Sequence, residues 1–153
     1  MQNPNHSADA NLYSVTQRVI DANAALRAVQ AAIRHATQLG VRVNVSVVDA
    51  SGVPAAFARM AGAPLHSIDI AIDKAYTAAS FGLPTGQWQE ALQSHSEAVR
   101  RGLVLRPRFV GFGGGLPMVE RGERIGGIGV SGGSEAQDTG IAQAGLAELG
   151  LSI

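Results

Sequence analysis

The sequence predicts an α+β domain in which helices cover an antiparallel sheet of about five strands, in the order αββααβββα. Three observations lead there. A long apolar stripe with helical spacing runs directly into a stretch of strict alternation, so a helix precedes a strand. The β-prone runs come in neighbouring pairs joined by short turn-forming segments, which makes the pairs antiparallel hairpins. A final amphipathic segment follows the last strand-like run and closes the layer.

The first helix rests on Val15, Val19, Ala22, Leu26, Val29, Ile33 and Ala36, whose spacings alternate between four and three over roughly Ser14 to Leu39. Gly40 ends it. In VRVNVSVVDA the residues Val41, Val43, Val45 and Val47 share one face, and Arg42, Asn44, Ser46 and Val48 share the other, as in a half-buried strand. Asp49 to Gly52 supply turn chemistry before a second strand from about Val53 to Met60.

The break at Ala61 to Pro64 leads to Ser67, an expected N-cap for an Ala- and Ile-rich helix up to about Ser80. A second break, Phe81 to Pro84, places Thr85 as the cap of a short helix carrying Trp88 and Leu92. Ser94 to Arg106 shows no clear period. Three strands are then expected at Phe109–Phe112, Met118–Glu120 and Arg124–Val130, the last two joined through Arg121, Gly122 and Glu123. Ser134-Glu135-Ala136-Gln137 matches a capping box and opens the last helix, which carries Ile141 and Leu149.

Composition narrows the function classes. The 153 residues fit a single domain over residues 14–153 behind a flexible tail at 1–13. Twelve Lys and Arg balance twelve Asp and Glu, so no global field attracts nucleic acid or an anionic membrane. No apolar run approaches a membrane span, and MQNPNHSADANLY has neither a basic nor an apolar targeting segment, so a cytoplasmic protein is expected. The absence of Cys removes disulfides, thiolate chemistry and thiolate metal sites.

Many of the 19 glycines crowd into residues 111–133. Gly127-Ile128-Gly129-Val130-Ser131-Gly132 spells the dinucleotide fingerprint G-x-G-x-x-G. That fold needs a second parallel strand with an acidic residue after the helix, and only Gly150 to Ile153 follow here. Read as a strand, the same letters put Ile128 and Val130 on one face and bare backbone at Gly127 and Gly129 on the other. A packed helix, a second subunit or a flat ligand would fit against that backbone.

RMAGAPLHSIDIAIDKAYTAASFGLPT, followed by GFGGGLPMVERGERIGGIGVSGGSEAQDTGIAQAGLAEL, resembles the GlcG/HbpS/PduO C-terminal family over nearly the whole chain. The most specific matches are Arg59-Met60, Lys74 to Ala78, Pro84-Thr85, Gly114 to Pro117, and Gly126 to Gly133 with Asp138. The resemblance implies a profilin-like fold and homo-oligomers that are often octameric. It also implies links to haem binding, in some members to haem degradation, and to cobalamin-related proteins where an adenosyltransferase is fused. By the same resemblance, Thr85 occupies the place of a threonine near the haem iron.

The candidate site gathers residues from these segments. His66, at the entry to the second helix, could ligate haem iron or move a proton near neutral pH, and His95 is a second candidate iron ligand. Arg59 offers a bidentate grip on a carboxylate, Lys74 a point charge or, if buried, an acid/base group, and Tyr76 a ligand hydrogen bond. The Gly111–Gly115 run, which includes Gly114 and Gly115, could leave room for a planar ligand or admit a neighbouring subunit, as could the bare backbone at Gly129. Ser131, Ser134 and the free N–H groups of the last helix suit an anion. Each also has a structural alternative: Lys74 paired with Asp49, Asp69 or Asp138, Thr85 as a plain cap, Asp138 set against the helix dipole. His6 and His35 are expected in solvent, and no histidine pair has zinc spacing.

Three readings stay open. The leading one is an oligomeric small-ligand-binding protein taking haem or another carboxylate-bearing molecule. The second is an isomerase, hydratase or decarboxylase for a small organic acid in a catabolic pathway, using Lys74 or His66. The third is a structural assembly subunit.

Overall fold

A computed structural model describes residues 13–153. The expected tail, apart from Tyr13, and His6 lie outside them. Helix α1 spans Ala22–Leu39, not Ser14 onward. The Asp21 carboxylate accepts from the N–H groups of Asn23 and Ala24 at 2.9 and 3.3 Å and starts the helix there. Upstream, the Ile20 N–H donates to the Ile125 carbonyl at 2.9 Å, so this backbone is held by the sheet instead. Val15 and Val19, which fit the helical spacing, are exposed.

Strands β1 (Asn44–Asp49) and β2 (Pro54–Arg59) form the expected hairpin. Strands β3 (Gly115–Glu120) and β4 (Glu123–Ser131) form a second, turned by Arg121 and Gly122 at φ 50° and 80°. Left-handed conformations at both turn residues match the twist of a two-residue hairpin. The sheet is wholly antiparallel, in the order β2-β1-β4-β3.

It has four strands, where about five were expected, because Phe109–Phe112 is not one of them. Arg108 turns the chain at φ 68°, and the Val110 N–H donates to the Thr77 hydroxyl at 3.1 Å. Phe109 meets Trp88 edge-on at 5.1 Å and Phe81 at 6.2 Å. The run is β-prone because it is aromatic, but its rings and backbone are engaged by neighbouring helices.

Helix α2 (Ser67–Phe81) lies across one face of the sheet. His66 precedes it without a side-chain cap, so Ser67 is its first residue and not the expected cap. A Cβ on Gly129 would overlap the Ala71 carbonyl, and one on Gly127 the Ala75 carbonyl. The bare face of β4 is thus the bed of a helix in the same chain. This also explains why β1 is buried on both sides and not half-buried. Val45 and Val47 join the main core with α1, and Val48 packs with Ala75 and Ala79 of α2.

After Gly82, a 3-10 turn at Thr85–Gln87 leads into α3 (Trp88–Ala91), and the segment without a clear period contains α4 (Glu97–Leu103). Thr85 does not cap. Its buried hydroxyl accepts the Gly115 N–H at 2.8 Å and ties this turn to the start of β3. Helix α5 (Glu135–Glu148) has its expected capping box, with Ser134 Oγ accepting from Gln137 N–H at 3.2 Å and Gln137 Oε1 from Ser134 N–H at 3.0 Å. Helices α1 and α5 cover the other sheet face, where Leu116, Ile128, Ile141 and Leu146 are fully buried. Each such side chain contributes roughly 1.5–3 kcal/mol.

Candidate functional site

Lys74 sits at the centre of the molecule, only 1% exposed. Its ammonium donates to the Val130 carbonyl at 2.8 Å and to Asp138 Oδ2 at 3.1 Å, and lies 5.1 Å from the centre of the Phe112 ring. Asp138 in turn accepts the Gly133 N–H at 2.9 Å, so of the three acids considered it is the one that pairs. Burial pushes the Lys74 pKa below the ordinary lysine range, and the attraction of Asp138 opposes the shift. Gly114, at φ 124°, leaves space for the ammonium, since a Cβ there would lie 2.7 Å from it. Gly115 fits between the Lys74 carbonyl and the Thr85 methyl. Lys74, Thr85, Gly114 and Gly115 therefore do come together, around an internal ion pair.

The other expected residues are dispersed. Arg59 donates to the Ala63 carbonyl at 2.6 Å and braces the chain after β2. His66 is exposed at the start of α2, and His95 is exposed after a short turn. Ser131 pairs with Asn44 across β4 and β1 and is buried. Gly129 lies under α2, and Ser134 is used as a cap. Among the described residues, no group of three or more His, Asp or Glu could hold a metal ion. No helix among them is long and apolar enough to cross a membrane.

Tyr76 does line open space. A cleft of about 310 Å³ is formed by Tyr76, Thr77, Ser80 and Phe81 of α2 against Leu103, Arg106, Pro107, Arg108 and Phe109. Its floor is apolar and aromatic and its rim carries two arginines. The Arg108 guanidinium stacks on the Tyr76 ring, 3.6 Å from its centre, and pairs with Asp73 at 3.0 Å. Arg106 and Arg108 carry no periodic signal in the sequence, because they lie in irregular chain. Their placement follows from the left-handed turn at Arg108 and from Thr77, whose hydroxyl donates to the Arg108 carbonyl at 3.0 Å.

The fold has counterparts among known proteins. Residues 20–147 match the family model described as haem degrading protein HbpS-like. The chain belongs to the HbpS-like family. The corrinoid adenosyltransferase PduO of Salmonella typhimurium is 38% identical over 122 residues, which is 80% of this chain and 36% of PduO. The chain thus spans about a third of that relative's length. Among solved structures, Klebsiella pneumoniae ORFY superposes with a TM-score of 0.83 at 33% identity, covering 93% of this chain and 98% of ORFY. A haem complex of PduOC superposes with a TM-score of 0.80 at 34% identity, covering 88% of this chain and 97% of PduOC. The HbpS-like assignment accounts for the helix, hairpin and glycine-strand order read from the sequence.

Proposed function

We propose that this HbpS-like chain is a small-ligand-binding protein that takes haem, or another flat molecule with carboxylates, in the cleft between α2 and residues 103–109, and that it works as a homo-oligomer. The observation that carries this reading is the cleft itself, an aromatic floor from Phe81 and Phe109 beside the guanidinium groups of Arg106 and Arg108. A flat apolar face would lie on that floor, and arginine is suited to bidentate carboxylate binding. The haem complex of PduOC and the description of the family support haem as the ligand. At about 310 Å³ the cleft is at the lower end of ligand-site volumes, which is consistent with a second copy completing the enclosure.

Within this cleft Tyr76 is the side chain able to ligate iron through its phenol oxygen. His66 and His95 do not line it, and the Thr85 hydroxyl is committed to Gly115. The acid/base reading is less well supported, since Lys74 is enclosed and held by Asp138 and Val130.

The test is a haem titration of the purified chain followed at the Soret band, repeated with Arg106→Ala/Arg108→Ala and with Tyr76→Phe. Saturable binding weakened about tenfold or more by the double variant is expected, in keeping with the loss of charge-assisted contacts. Unchanged binding in that variant, or a Soret band altered only by His66→Ala or His95→Ala, would move the ligand elsewhere.

A further inference from the structure

A second cleft, of about 250 Å³, lies between the β1–β2 turn and α2 and shares Tyr76 and Ser80 with the first. Ser51, Gly52, Tyr76, Ser80 and Arg124 form its working walls. Its chemistry is the reverse of the first cleft's, with a guanidinium, a phenol and two hydroxyls around a small space. Arg124 makes no ion pair among the described residues. Its guanidinium lies against Gly82, where a Cβ would overlap it. That is the carbonyl end of α2, which favours a cation.

A Cβ on Gly52 would lie 2.7 Å from Cδ2 and Cε2 of Tyr76, so glycine there admits the ring, and Arg108 covers the ring's face. The ring is thus flanked by the Gly52 backbone and the Arg108 guanidinium. The nearby Asp49 carboxylate is engaged by the N–H groups of Ser51 and Val53 at 2.8 and 3.1 Å, which offsets its charge toward an incoming anion. Among the described residues the Ser51 hydroxyl makes only a 3.5 Å contact, with Gln17.

We infer that this pocket is an oxyanion site that takes the carboxylate or phosphate group of a small metabolite. Arg124 grips the anion, and the hydroxyls of Ser51 and Ser80 donate to it. The site shares Tyr76 and Ser80 with the walls of the apolar cleft, but Arg124 and Ser51 line this cleft alone.

The experiment is an amide TROSY titration of the full-length chain at constant ionic strength, with sodium phosphate in one series and sodium acetate in the other. Saturable shifts at Ser51, Gly52 and Ser80 are expected, and the anion that saturates first identifies the headgroup. Arg124→Gln, at an exposed position, should weaken that binding about tenfold or more, and Ser80→Ala should weaken it several-fold. The haem midpoint of Arg124→Gln should stay at the wild-type value. Failure of both anions to saturate, shifts centred on another part of the chain, or unchanged affinity in Arg124→Gln would each overturn the assignment.

Discussion

Replacing Lys74 by Met tests whether the internal ion pair is a source of stability or a constraint the fold must keep intact. At 3.1 Å between Nζ and Asp138 Oδ2, Coulomb attraction with an effective dielectric constant near 20 is about 5 kcal/mol. Removing two ions from water costs several kcal/mol each, so the intact pair contributes little net stability. Breaking it is different. Lys74→Met leaves Asp138 buried with the Gly133 N–H as its partner and strips a donor from the Val130 carbonyl. A loss of about 3–5 kcal/mol is expected. Lys74→Met/Asp138→Asn removes the orphaned charge and keeps an acceptor for Gly133, so it should recover at least half of that loss. Guanidinium unfolding at one protomer concentration, set out as a double-mutant cycle, measures both effects. A single variant costing under about 1 kcal/mol, or a double variant costing the sum of the singles, would refute the argument.

Further outcomes follow from the same contacts. Because the folded chain binds the Lys74 proton less tightly than the unfolded chain, the contribution of this group to stability should rise with pH toward its ordinary value of 10.5. Unfolding midpoints of wild type and Lys74→Met should therefore diverge as the pH is raised toward 10.5, with wild type gaining; a gap that narrows would contradict the desolvation argument. Gly129→Val should cost more than about 3 kcal/mol, beyond ordinary overpacking, because its methyls meet backbone of α2. A thermal melt close to wild type would show that the helix can lift off. Thr85→Val keeps the shape and removes the acceptor for Gly115, so a loss of about 1–3 kcal/mol is expected. A Soret spectrum changed by that variant would point to an iron ligand instead.

The order of elements was legible because each is written in a local pattern. Alternation marks β1, the capping box marks α5, and the bare face of β4 correctly announced that something lies against it. Misreadings arose where a local pattern met a tertiary partner. The spacing of Val15 and Val19 suits a helix, but Asp21 supplies the stronger start signal and Ile20 bonds to Ile125. Phe109–Phe112 is aromatic enough for a strand, yet Thr77 and Trp88 engage it. Thr85 precedes a helix, and its hydroxyl is taken by Gly115, 30 residues away. Of the expected site residues, Lys74 and Gly114 do meet, and Asp138 is the one of the three alternative partners that Lys74 takes. Arg106, Arg108 and Arg124 were not legible, since solvent-side arginines have no period and only the folded topology brings them to α2.

Helix α2 meets the β4 backbone directly at Gly127 and Gly129 and is tied to the same strand by Lys74, and it carries Tyr76 and Ser80 on the side that faces the clefts. A helix seated this way has no soft layer in which to slide or tilt, and local opening would require the sheet to open with it. Its amide hydrogens should be among the last to exchange with solvent, and ligands on its outer face meet an anvil rather than a hinge.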